Sequence, residues 1–285
     1  KLNDLLHKCW LLRDALPGAI SIDNLVDAHR NDEEIAFIGK LAIAKSILTA
    51  EGQSNLHFDP RVNRSFRLEQ ANGSWLISLF QKLTENVAKE DVEGIFSNVD
   101  FVVFNYDRCL EYFLPRALGA YYGFSDQEAL RIAELARIIH PYGQVGELNR
   151  NDQNGFAEFG DHSRNLGSVS ARIRTFSEGL KYESHQERIE NVMREAENLV
   201  FLGFAFHPLN MEVLKVQGES NIRNVFGTTL GLADAAVKRV REDIFGIVGK
   251  RPNDGRIAAD ENLNEVSLEN RGAADFLYAH FRSLN

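Results

Sequence analysis

Four places in this chain put chemically able residues at the end of a short apolar run. Asn105-Tyr106-Asp107 follows residues 101–104, and His140-Pro141 follows 137–139. Gly203 follows 199–202, and Gly227-Thr228-Thr229 follows 224–226. An amide offers a donor and an acceptor together. An imidazole titrates near neutral pH and can take or hold a proton. Together they suit the orientation of a water or hydroxyl coupled to proton transfer. Each has a plainer reading. Asp107 can cap the helix that follows it, a histidine before proline is commonly structural, a strand-end glycine is commonly a turn, and two threonines can be ordinary strand or cap residues. Asn105 is harder to dismiss, because an amide at a strand end must find partners or water. A strand-end His140 facing a crevice would contribute little packing, and its loss should cost about 1 kcal/mol of stability.

The elements that must position these residues follow from periodicity. Residues 101–104 read as a strand buried on both faces, and Leu110, Phe113 and Leu114 give helical spacing after it. A strand at 137–139 ends in His-Pro-Tyr-Gly, and 199–202 and 224–231 repeat the strand plan, with Pro208 and Asp234 opening helices. The first hundred residues are mostly helical, with Ser21 and Asp32 as caps and a polar loop from 51 to 73. Residues 172–178 read as an edge strand, 186–196 as a helix, 250–271 as polar linker and 273–284 as a terminal helix. Strands alternating with helices predict an α/β fold with a doubly wound, Rossmann-like, mostly parallel sheet. The expected organisation is one domain over 1–285, with a helical subdomain near 23–97 and a tail and helix over 250–285. In such a sheet all four strand ends converge on one crevice.

Composition narrows the function classes. The chain has 285 residues, 44% of them hydrophobic and 26% charged, as an ordinary globular protein does. A net charge of -9 argues against direct nucleic-acid binding and against an anionic membrane surface. Two cysteines, Cys9 and Cys109, form no CxxC pair, so a cysteine-built zinc site lacks ligands and no metal is expected. The same scarcity suggests a reducing cytoplasm. No apolar run nears the roughly 20 residues that span a bilayer. The metalloprotease, serine-hydrolase, P-loop and EF-hand motifs do not occur.

The order of the motifs resembles the sirtuin-like superfamily, and within it the bacterial branch of NAD hydrolases that act in anti-phage defence. Phe104-Asn-Tyr-Asp-Arg-Cys-Leu-Glu111 is similar to that branch's asparagine motif, with Phe104 where threonine usually stands. Ile139-His-Pro-Tyr-Gly143 resembles its histidine motif, and Val200-Phe-Leu-Gly-Phe-Ala-Phe-His-Pro-Leu-Asn210 its glycine-centred strand. Ser21 to Asn24 and the helix over 33–48 also resemble the branch, so the likeness spans residues 20 to 245. It implies NAD as a consumed substrate, cleaved to nicotinamide and ADP-ribose. Asn105 would orient water or ribose hydroxyls, His140 would act as base, and Asp107 would hold geometry or merely cap its helix. Gly203 and Phe204, with Gly227 and Thr228, would line the dinucleotide. It also implies a homo-oligomer or a defence-system partner protein. The branch's Gly-Ala-Gly phosphate loop does not occur, and a strand and glycine-rich turn are expected before Lys1. Two alternatives remain: an NAD-dependent protein deacylase, against which the missing four-cysteine module speaks, and a catalytically idle NAD or ADP-ribose sensor or assembly module.

Overall fold

The computed structural model describes residues 2–58, 65–148, 155–161, 165–179, 183–248 and 263–284. Helices α1 (Leu2–Ala15), α2 (Ile22–Ala28), α3 (Glu33–Gln53) and α4 (Trp75–Leu83) precede strand β1 (Asp100–Val102). Then come α5 (Cys109–Tyr122), α6 (Asp126–Ala133), β2 (Arg137–Ile139), α7 (Leu166–Ser170), α8 (Phe176–Gly179) and α9 (Glu183–Glu195). The carboxyl-terminal part alternates strictly: β3 (Asn198–Phe201), α10 (Pro208–Val213), β4 (Asn224–Thr228), α11 (Asp234–Ile247), β5 (Glu265–Glu269) and α12 (Ala273–Ala279).

Local chemistry sets several of these starts. Ser21 Oγ accepts from the Asn24 N–H at 3.1 Å, Asp32 Oδ1 from Glu34 and Ile35, and Ser125 Oγ from Glu128 at 3.3 Å. Each satisfies an amide that the first helical turn leaves without a partner. Pro208 opens α10 at the position where its missing N–H costs nothing. Among the described residues no helix is long and apolar enough to cross a membrane.

The chain divides into two compact units, residues 1–70 with 101–182, and residues 71–100 with 183–285. In the first, α3 buries Ile35, Gly39, Ile43, Ala44, Leu48 and Glu51 along one face, the spacing of a helical stripe. Ile43, Ala44 and Leu48 pack with Val145, Ala157, Val169 and Ile173. Gly39 lets α2 approach closely, since a Cβ there would lie 2.2 Å from Val26 Cγ2. This unit also holds the pairing of β1 with β2. The second unit carries a three-stranded parallel sheet, β3-β4-β5, with Phe201 beside Gly227 and Gly227 beside Leu268. Its middle strand is buried from Val225 to Thr228, as the centre of a helix-covered parallel sheet must be.

The fold is therefore mixed α/β with small sheets, and the single sheet expected from the sequence is corrected. The strands before Asn105 and His140 pair with each other, whereas those before Gly203 and at Gly227 belong to the other sheet. Apolar content identifies a strand but not its neighbours, and β1 is only half-buried along its length. Three smaller expectations also change. Residues 172–178 form a turn and the short helix α8 instead of an edge strand. Part of the supposed linker, Glu265–Glu269, is strand β5, while 249–262 lie outside the described residues. Asp234 is the first residue of α11 and makes no capping bond, Ala233 holding the cap position.

Candidate functional site

The segment between β1 and α5 is fixed residue by residue. The Asn105 carbonyl accepts from His140 Nδ1 at 3.1 Å. The Tyr106 carbonyl accepts from the Val145 N–H at 2.9 Å, and its hydroxyl lies 2.5 Å from Asp23 Oδ1 and 2.9 Å from the Arg174 carbonyl. Asp107 Oδ1 accepts from the Cys109 N–H at 3.1 Å. Arg108, without a side-chain bond, holds the cap position of α5, so Asp107 meets the first amide of the helix from one residue farther out and the N-cap reading of its sequence is corrected.

Arg108 is the deepest anchor. It is 0% exposed, and Glu51, on the inner face of α3, is 2% exposed. Arg108 Nη2 lies 2.6 Å from Glu51 Oε2 and Nε 3.2 Å from Oε1, a two-pronged pair. Glu51 also accepts from the Arg108 and Gly160 backbone N–H groups, and the guanidinium donates to the carbonyls of Ala157 and Glu158. A buried ion pair is tolerable only when its remaining donors and lone pairs are met in this way. No motif in the sequence pointed to Glu51.

With its backbone held, Asn105 presents its side chain outward. The residue is exposed, and its amide makes no hydrogen bond among the described residues. His140 stands beside it at the end of β2, 8% exposed. Its Nε2 lies 2.6 Å from Glu111 Oε1, in the first turn of α5. Burial tends to lower the His140 pKa. The Glu111 carboxylate, the Asn105 carbonyl and the charge of Asp107 outweigh burial and raise it above the ordinary value. Removing this ring would strip a donor from Glu111 and lose a charged hydrogen bond, a cost of about 2–3 kcal/mol. The 1 kcal/mol expected for an open strand-end histidine is corrected accordingly.

The turn after His140 explains its motif. The Gly143 N–H donates to the His140 carbonyl at 3.1 Å. Gly143 has φ +75°, and a Cβ there would lie 1.9 Å from the Arg172 carbonyl oxygen. Both the backbone angle and the space demand glycine. Tyr142 is buried, edge-on to Phe104 and Phe176. Burial and the neighbouring Asp107 push the Cys109 thiol pKa far up, which disfavours its thiolate.

The other sequence-selected residues lie in the second unit, where they meet one another. The Gly203 N–H donates to Thr228 Oγ1 at 2.8 Å. Gly203 is exposed, with φ +59° and open space around a would-be Cβ. Phe204 packs against Phe201 and Phe206, and Phe206 is buried with φ 52°, a backbone region that bulky residues seldom occupy. Gly227 is buried between its strand neighbours, where a Cβ would lie 2.9 Å from Leu268 Cδ2 and 3.4 Å from Phe201 Cβ. Close sheet packing alone accounts for that glycine. Among the described residues no group of three His, Cys, Asp or Glu side chains lies close enough to hold a metal ion. Comparison with protein-family models, with curated proteins and with solved structures gives no match for this chain.

Proposed function

We propose that this protein hydrolyses NAD+ at the bond between nicotinamide and ribose. One observation supports it above the others. A loop held by its backbone, 105–108, exposes an amide that has no hydrogen-bond partner among the described residues, next to a buried, hydrogen-bonded histidine. Cleaving this bond builds positive charge on the ribose while nicotinamide departs neutral, so little acid catalysis is needed. Orientation of the ribose, a deprotonated water and shelter from bulk solvent are what the site must supply. Asn105 can hold water or the ribose hydroxyls with both halves of its amide. His140 and the acids near it handle the proton, and the Glu111 carboxylate suits a cationic ribose electrostatically.

Of the residues that the resemblance assigns to the dinucleotide, Gly203 is exposed and Phe204 half-buried, while sheet packing accounts for Gly227 and Thr228 is buried. The motif order supports the finer assignment as a sirtuin-like effector of bacterial anti-phage defence, working in the cytoplasm as a homo-oligomer or with a partner protein. The test is incubation of the protein with NAD+, with nicotinamide and ADP-ribose read by chromatography. Release of both is expected. Activity per folded molecule should fall at least about a hundredfold in His140→Ala. If NAD+ raises the melting temperature but is never consumed, the protein is a sensor and hydrolysis is refuted. Conversion that requires an acylated peptide would make it a deacylase.

A further inference from the structure

The surroundings of His140 restrict where a proton can go. The Asn105 carbonyl can only accept, so His140 Nδ1 carries a hydrogen. Nε2 faces Glu111 Oε1 at 2.6 Å, and one proton lies between those two atoms. Whether that proton rests nearer nitrogen or oxygen, neither ring nitrogen presents a lone pair outward. An imidazole in this state cannot deprotonate a water. Glu111 Oε2 can. It is shielded from solvent, and among the described residues no group donates to it. A carboxylate oxygen shielded without a donor is destabilising, so such an atom asks for a donor such as a water or a hydroxyl.

We propose that Glu111 is the proton acceptor in NAD+ cleavage, and that His140 is the positioning residue that holds it. This role rests on the hydrolase reading above and assigns to Glu111 the proton that reading leaves to His140 and the acids near it. As the bond from C1′ to the nicotinamide nitrogen breaks, its electron pair leaves with the ring, which becomes neutral. The oxygen of water bonds to C1′ and gives one proton to Glu111 Oε2. The carboxyl is then neutral beside the imidazolium, and the proton later passes to solvent. NAD+ and water thus give nicotinamide, ADP-ribose and one proton.

The groups facing the His140 ring come from each element around it. Asn105 and Asp107 lie in the segment after β1, and Glu111 lies in the first turn of α5. The amino end of α5 adds a favourable dipole for a carboxylate. Burial opposes the charged ring, and these three neighbours together overcome it.

The experiment pairs kinetics with nitrogen NMR of the histidine rings on the full chain. Glu111→Gln keeps the shape and an acceptor for Nε2 but cannot take up a proton. It should lose at least about a hundredfold in kcat, with KM within about threefold and a melting temperature lowered at neutral pH, because the charged bond to His140 becomes a neutral one. Glu111→Ala should regain activity on addition of formate, a rescue that a merely structural residue does not show. In the wild-type protein both His140 nitrogens should carry protons at neutral pH, and Glu111→Gln should move that titration to lower pH. Activity of Glu111→Gln within threefold of wild type overturns the role. So does a wild-type His140 with a bare nitrogen at neutral pH, a result that needs no variant to fold. Wild-type protein that consumes no NAD+ overturns the hydrolase reading and this role together. The NMR titration then shows whether the Glu111–His140 pair itself stands.

Discussion

Replacing Glu51 with glutamine changes one atom and removes the counter-charge of the most buried ion in the molecule. Arg108 would keep the Ala157 and Glu158 carbonyls, at 2.6 and 3.3 Å, and one uncharged amide oxygen in place of the two carboxylate oxygens. The new amide would turn donors toward donors. Breaking one side of a buried pair costs about 3–5 kcal/mol. At about 2–4 °C per kcal/mol for domains of this size, the melting temperature should fall by about 6–20 °C. Urea unfolding should shift its midpoint while keeping its slope, since the surface exposed on unfolding is unchanged. Arg108→Met should be costly for the mirror reason. It leaves a buried carboxylate held only by the backbone N–H groups of residues 108 and 160. In the double variant both charges are gone, and one amide oxygen can still accept from the backbone. It should be more stable than the sum of the single losses predicts by at least about 2 kcal/mol. Losses that add to within about 0.5 kcal/mol, or a Glu51→Gln cost below about 1 kcal/mol, would refute the desolvated-pair reasoning.

Two further outcomes follow from the turn and the ring beside it. Gly143→Ala meets both a left-handed φ and the Arg172 carbonyl at 1.9 Å, whereas Gly123→Ala meets φ +70° with nothing within 4 Å. The first should lose at least about 2 kcal/mol in urea unfolding and the second about 1 kcal/mol, and equal losses would remove the steric argument. His140 binds its proton more tightly folded than unfolded, so its contribution to stability is full below its unfolded pKa near 6.5 and is lost as pH rises through the raised folded value. Melting curves of wild type and His140→Gln between about pH 5.5 and 9 should therefore converge toward the alkaline end. A gap that widens with pH would show the opposite linkage.

What the sequence carried and what it withheld separate along chain distance. The Ser21, Asp32 and Ser125 caps bond groups two or three residues away, so a local pattern holds all the information they need. The strands before Asn105 and His140, and Pro208 at the head of α10, were legible for the same reason. Strand β5 was not. Glu265-Val-Ser-Leu-Glu269 alternates as a strand should, but only its pairing with β4, forty-one residues back at Asn224↔Glu265, makes it one. Glu51 reads as the polar end of an apolar helix until Arg108, fifty-seven residues on, is seen to lie against it.

The same distance rule governs the site, and there it alters the chemistry. Residue types at the strand ends were enough to single out Asn105, Asp107 and His140. What type alone could not give was the state of the imidazole, because a histidine is base, acid or fixed cation according to what its two nitrogens meet. Asn105 lies thirty-five residues from His140 and Glu111 twenty-nine. Those two acceptors, brought together by strand pairing and the start of α5, turn a residue that reads as a general base into a donor on both sides. In the proposed role the proton acceptor is a carboxylate oxygen in the first turn of α5, at a position where the sequence shows only an acidic residue.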